Sequence, residues 1–198
     1  MRGQKTAQVF GLGCCMALIT GCTEQVAAPT KFADYAAKDG AFSCIYPADW
    51  TKEEGARADN SYSWVKFTKG SAQIKISADA GGSVLGDIEK AGPGNADEKE
   101  ENTVARVHET QERSTAEEYT SYREKTPRPV KNTSLGPGAQ SDFTADGGFG
   151  IRLRGTRTTF LANNRRISIL CQSPLPNWRV LKPAFDKVID SVHSGGGK

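Results

Sequence analysis

Five arginines fall within fifteen residues of this chain: Arg152, Arg154, Arg157, Arg165 and Arg166, in "RLRGTRTTFLANNRR". A guanidinium is planar, always charged and carries a fork of donors, which suits it to carboxylate and phosphate groups. Arg152 and Arg154 alternate with Ile151 and Leu153, so in a strand they share the face opposite an apolar one. Gly155 interrupts that alternation as a β-bulge would, and a bulge there would re-aim Arg157. Arg165 and Arg166 return just across Asn163-Asn164, so a hairpin would gather several guanidinium groups on one region of sheet. Two readings stand. One is a solvated β face, or an internal partner for the acidic stretch 97–118; the other is a surface for an anion or an acidic partner.

The remaining reactive side chains offer less. A metal site needs three or four ligands held together, and no His/Cys/Asp spacing around the two histidines, His108 and His193, supplies such a set. No metal or other cofactor is expected. His108 falls on a helical stripe and reads as a packing residue, and His193 as a solvated helix end. No Gly-x-Ser-x-Gly elbow or reactive-cysteine box is present, and "GPGAQS" and "GGFG" are glycine turns outside a strand-to-helix phosphate loop. The acids at Asp97–Glu101 and Glu117-Glu118 read as solvated. No catalytic residue is assigned.

These groups must be positioned by a mostly β chain. "AFSCIYP", "SYSWVKF" and "SAQIKISA" read as strands, the last with Ala72, Ile74, Ile76 and Ala78 on one face and Gln73, Lys75 and Ser77 on the other. A short helix is expected over 83–91 and a charged loop over "GPGNADEKEEN". A helix follows from Thr103 to Lys125, with a break near Ser114, where "STAE" would cap a new start. Four strands come next ("VKNTSLG", "GAQSDFTA", "GFGIRLRGTRTTFLA", "RRISILCQS"), with Asn163-Asn164 as a tight turn. A closing helix carries Leu181, Phe185, Val188, Ile189 and Val192 on one side.

The first thirty residues bear on where the chain works. Arg2 and Lys5 precede an almost uncharged run from Val9 to Thr20, too short to span a bilayer and of signal-peptide form. It ends in Ile19-Thr20-Gly21-Cys22, which resembles the lipobox of bacterial lipoproteins. The resemblance implies cleavage after Gly21 and a diacylglycerol thioether on Cys22, with the protein anchored to the cell membrane or outer membrane and its domain facing the periplasm or exterior. Thr23 stands where an Asp would favour inner-membrane retention, a lean towards the outer membrane that leaves the choice between the two open. Residues 22–40 then read as a tether with a short helical turn near Phe32–Ala37, 41–194 as the domain and 195–198 as a frayed tail.

Without residues 1–21 the chain holds 24 basic and 23 acidic residues, a net charge of +1, which argues against nucleic acid as a partner. Charge is nonetheless segregated, with net −5 over 97–118 and net +8 over 119–198. Export permits a disulfide between Cys44 and Cys171. Both sit on apolar faces, so two buried free thiols are the alternative.

"F-x-C-x-YP-x-D-W" at Phe42–Trp50, "W-V-x-F" at Trp64–Phe67 and "F-x-x-VI-x-SV" at Phe185–Val192 resemble the PsbP/Mog-type domain, which includes small DcrB-like lipoproteins. That resemblance implies an α+β fold, a mainly antiparallel sheet packed between helices as an α/β/α sandwich. Its motifs are core and turn positions, and the metal or chloride of photosystem relatives does not carry over. The function expected is a lipid-anchored, non-catalytic envelope module binding a protein partner or an anionic envelope component. The alternative is an exported enzyme with a scattered site.

Overall fold

The computed structural model describes residues 25–80 and 96–195, with side chains from 103 onward in the second stretch. The signal segment, Cys22, the helix expected over 83–91 and residues 196–198 lie outside the described residues. In chain order the elements are β1 (Phe32–Ala36), β2 (Phe42–Pro47), β3 (Thr51–Ala56), β4 (Tyr62–Lys69), β5 (Ala72–Ala80), α1 (Ala96–Thr110), α2 (Glu112–Ala116), β6 (Thr120–Glu124), β7 (Arg128–Asn132), β8 (Gly136–Asp146), β9 (Arg152–Ala162), β10 (Arg165–Pro174), α3 (Leu175–Ser191) and β11 (His193–Ser194).

The main sheet runs β3-β4-β5-β10-β9-β8, and the outer edge of β8 is shared by β6 and β7. All its pairings are antiparallel. A small sheet, β1-β2-β11, packs beside it. Alternation along β5 and β10 sends Ala72, Ile74, Ile76, Ile167, Ile169 and Cys171 to one face, where they are fully buried with Phe42, Phe67 and Phe160. The apolar stripe of α3 (Trp178, Leu181, Phe185, Val188, Ile189) covers this face. Asn132 holds the far end of α3: its amide donates to the carbonyls of Ile189, Asp190 and Val192 at 3.2–3.3 Å. The opposite face of β8 and β9 is covered by α1, which buries Val104, Val107 and His108, while Tyr119 and Tyr122 pack on Phe143. The α/β/α sandwich expected from sequence is the observed fold.

The differences from expectation have local causes. Residues 25–40 belong to the domain: Val26 is 2% exposed within the core cluster, and Phe32–Ala36 is a strand on β2, in place of a tether with a helical turn. β3 is an edge strand of mostly exposed residues with no apolar alternation to signal it. α1 begins at Ala96, inside the stretch expected as a loop. The helix expected to run to Lys125 breaks at Gln111 and ends at Ala116. The hydroxyls of Ser114 and Thr115 donate back to the Gln111 carbonyl at 3.0 Å, so "STAE" closes a helical turn where a new helix had been expected to start. β6 then pairs with β8. His193 is exposed but lies in β11, paired with Ser43, where a helix end was expected.

Gly155 is not a bulge. Phe143↔Gly155 and Gly155↔Gln172 lie in continuous register, and a Cβ there would meet the Phe143 ring at 2.2 Å. Arg157 therefore keeps strict alternation and lies on the face opposite Arg152 and Arg154. The Asn163-Asn164 turn is as expected, with both residues left-handed (φ 50° and 55°).

Cys44 and Cys171 are not bridged. They enter one core from separate sheets and pack as buried free thiols. Burial pushes the Cys44 thiol up to about 12 and raises that of Cys171 as well, which makes both inert. Maleimide labelling read by peptide mass spectrometry is expected to leave both unmodified in the native protein and to modify both after unfolding in denaturant without reductant. Modification that needs reductant would show a disulfide instead.

Candidate functional site

Beneath α1 the sheet carries a buried polar group. β6 presents Glu124, β8 presents Ser141, β9 presents Arg157 and Thr159, and α1 brings His108, which is 0% exposed. Arg157 donates from Nε (3.0 Å) and Nη2 (2.6 Å) to Glu124 Oε1, and from Nη1 to the His108 carbonyl at 2.8 Å. That carbonyl lies in the last turn of α1, where a cation is favoured, and it also accepts the Gln111 N–H at 3.2 Å. Tyr122 donates to Glu124 Oε2 at 2.6 Å, and Ser141 donates to Oε1.

Proton bookkeeping places a proton on His108 Nε2, and burial keeps the ring neutral. The single hydroxyl proton of Ser141 goes to Glu124, so the contact of His108 Nε2 with Ser141 Oγ at 2.8 Å needs the proton on Nε2. Nδ1 then accepts from the Thr159 hydroxyl at 2.9 Å. Burial holds the His108 pKa below the ordinary 6.5, against the pull of Glu124 and with the help of Arg157. For Glu124 burial acts to raise the carboxyl, but hydrogen bonds from His108, Arg157, Ser141 and Tyr122 outweigh it and bring it down to about 2. The network is a neutral histidine and a charged Glu124–Arg157 pair.

The arginines singled out in the sequence are therefore dispersed. Arg157 is buried in this network. Arg166, on the same face, pairs with Asp79 and flanks Gln111, whose amide oxygen accepts from Arg166 Nε at 2.9 Å. Arg165 reaches Asp39 at 3.5 Å and the Asn60 carbonyl at 3.2 Å. Arg154 lies over the Trp178 ring at 5.5 Å with Asp142 at 4.0 Å. The acids that hold them come from β5, β6, β8 and the β1–β2 turn, and among the described side chains of the acidic stretch, 103–118, none does so. Arg152 alone of the five is exposed beside an open cleft.

That cleft, of about 880 Å³, lies where β6, β8 and β9 end near the start of α3. Arg123 and Arg152 line it with the hydroxyls of Thr120, Ser121 and Thr144, the carboxylate Asp146 and, at its rim, Leu175. Ser121 is left-handed (φ 53°) at a register shift between Thr120 and Arg123. Bulges of this kind redirect side chains at sheet edges. The β8–β9 loop beside it is Gly147-Gly148-Phe149-Gly150, with Phe149 left-handed (φ 58°) and fully exposed. Arg123 falls in the stretch expected as a helix, where its place beside Arg152 is hidden from the sequence. Phe149 reads as part of a glycine turn, although a lone aromatic among glycines was the available signal. Glu124 had a signal too, as one of only five acids in 119–198.

No family model and no curated protein matches the sequence. Among solved structures, the cyanobacterial PsbP (CyanoP) of Synechocystis sp. PCC 6803 is similar over 92% of this chain and 98% of its own, with a TM-score of 0.54 at 14% identity. The fold is PsbP-like. Such an identity shows the fold alone. LpqN of Mycobacterium tuberculosis, described as involved in cell envelope biogenesis, aligns over 82% of this chain and 90% of its own, with a TM-score of 0.47 at 8% identity, a likeness too low to carry an argument. Among the described residues no helix is long and apolar enough to cross a membrane.

The buried network makes stability pH-dependent with a definite sign. His108 has its folded pKa below the unfolded value, so its contribution is complete above about 6.5 and fades as pH falls through the folded value. Glu124 contributes fully above about 4.5 and loses that contribution as pH falls towards 2. The melting temperature is expected to drop from pH 7 to 5 and again below 4.5. His108→Gln is expected to flatten the upper part of the curve and leave the lower. A wild-type melting temperature constant from pH 7 to 5 would contradict the assignment of a neutral buried histidine.

Proposed function

We propose that this chain is a lipid-anchored accessory module of the bacterial cell envelope, exported through residues 1–21, held by Cys22 and working by binding rather than catalysis. The ligand is an anionic group, taken in the cleft between Arg123 and Arg152. The observation that carries this reading is the contrast between two polar groups. His108, Ser141, Glu124 and Arg157 spend their donors and acceptors on one another away from solvent. The Arg123–Arg152 cleft offers charge and hydroxyls to solvent. His108 already holds its proton on the nitrogen facing Ser141, so it cannot take one from that hydroxyl, which counts against a serine–histidine hydrolase.

Two guanidinium groups with threonine and serine hydroxyls form a set of donors, suited to carboxylate or phosphate oxygens. Asp146, the one carboxylate among the lining residues, lies opposite Arg152 in register. Export and anchoring follow from the lipobox resemblance at Ile19–Cys22.

Cys22→Ser is expected to release a folded protein from the membrane fraction and to abolish its labelling by a fatty-acid probe. Equal labelling of variant and wild type would overturn the anchor. Separately, Arg123→Gln with Arg152→Gln is expected to lose what cross-links to the protein in the envelope at an unchanged melting temperature. Unchanged cross-linking would remove the cleft from the function.

A further inference from the structure

The cleft, the exposed apolar side chains and the point where the chain enters the domain all lie at one end of the molecule. The Val26 N–H donates to Asn177 Oδ1 at 3.4 Å, and Asn177 lies two residues after Leu175 in the first turn of α3. Cys22 precedes Val26 by four residues, which span at most about 14 Å of extended chain. The large apolar side chains left exposed among the described residues are Phe149, in the loop beside the cleft, and Leu175 and Val180, in the first two turns of α3. Phe149 combines full exposure with a left-handed backbone between Gly148 and Gly150, residues that adopt such conformations without strain. Neither its packing nor its backbone accounts for a phenylalanine at this loop tip.

We infer that this end of the domain docks on the surface of the membrane that holds the anchor, with Phe149 and Leu175 entering the interface and Arg123 and Arg152 taking phospholipid phosphates. The inference rests on the proposed lipidation of Cys22. A chain that enters the domain so soon after its anchor keeps this end within reach of the headgroups. Interfacial proteins pair an apolar insertion with cations for anionic lipid in this way. Asp146 also lines the cleft, opposite Arg152 in register, which leaves a positive balance there. An acidic protein partner would use the arginines equally well but would not account for the entry point of the chain or for Phe149.

The test uses the mature lipidated protein in vesicles of phosphatidylethanolamine and phosphatidylglycerol that carry a nitroxide high on the acyl chain. Gly148→Cys places a fluorescent label beside an intact Phe149, at a position with open space around it. Ala58→Cys places the same label in the β3–β4 turn. That turn lies at the opposite end of the sheet, near the Asn163-Asn164 turn and about 35 Å along β9 from the cleft.

The label at 148 is expected to be quenched several-fold more than the label at 58. Arg123→Gln with Arg152→Gln, or vesicles of phosphatidylcholine alone, is expected to remove at least half of that quenching. Equal quenching at 148 and 58 on vesicles that still carry the protein would overturn the docking while leaving the anchor intact, and would favour a protein occupant of the cleft. Protein that does not float with vesicles and shows no acyl mass on Cys22 would overturn the anchor and the docking together.

Discussion

A charged pair removed from water governs how this molecule is arranged. Glu124 and Arg157 have side chains 3% and 5% exposed and meet at 2.6 Å. Neither ion is tolerable there alone. The desolvation cost is met because every nitrogen and oxygen of both charged groups has a partner: Tyr122 and Ser141 join on the carboxylate, the His108 carbonyl on the guanidinium. Three elements from separate parts of the sequence therefore have to arrive together. β9 supplies the cation, β6 the anion, and α1 supplies a carbonyl and a neutral imidazole.

The pair also determines what faces solvent. β6 is an edge strand with irregular pairing to β8, and on its inner side Tyr122 stacks on Phe143 at 5.1 Å next to the Glu124 contacts. With Tyr122 and Glu124 drawn toward the sheet, alternation turns Arg123 out into the cleft beside Arg152. A left-handed Ser121 absorbs the register shift. The binding surface is thus the outer side of the strand whose inner side closes the polar network. The same pair ties the end of α1 to β9 through the His108 carbonyl, so the second helical layer of the sandwich and the basic cleft share one cause.

Much of the sandwich was legible in the sequence because it is written in local periodicity. The alternation in Ala72–Ala78, the Asn163-Asn164 turn and the stripe from Leu181 to Ile189 each encode an element within a few residues. What escaped was set by partners distant in sequence. Tyr119–Glu124 has a spacing that suits a helix as well as a strand, and only Asp142, Thr144 and Arg157 decide between them. Phe32–Ala36 looks like tether until β2 is beside it. The arginines show the same limit: their types were visible, but two faces of a sheet and four separate carboxylates divided them, leaving Arg152 as the open one. Cys44 and Cys171 lie on apolar faces, as their alternation implies, and the structure holds them there as free thiols.

The account stands on the coupling between Glu124 and Arg157, and a double-mutant cycle measures it directly. Denaturant unfolding would compare wild type, Glu124→Leu, Arg157→Met and the double variant. Each single variant leaves one buried ion without its partner and is predicted to lose about 3–5 kcal/mol. The double variant removes both ions and is predicted to be more stable than either single, giving a coupling energy above about 2 kcal/mol. Single losses that simply add in the double variant would contradict it, and would mean that helix layer, edge strand and cleft are held in place by something other than this pair.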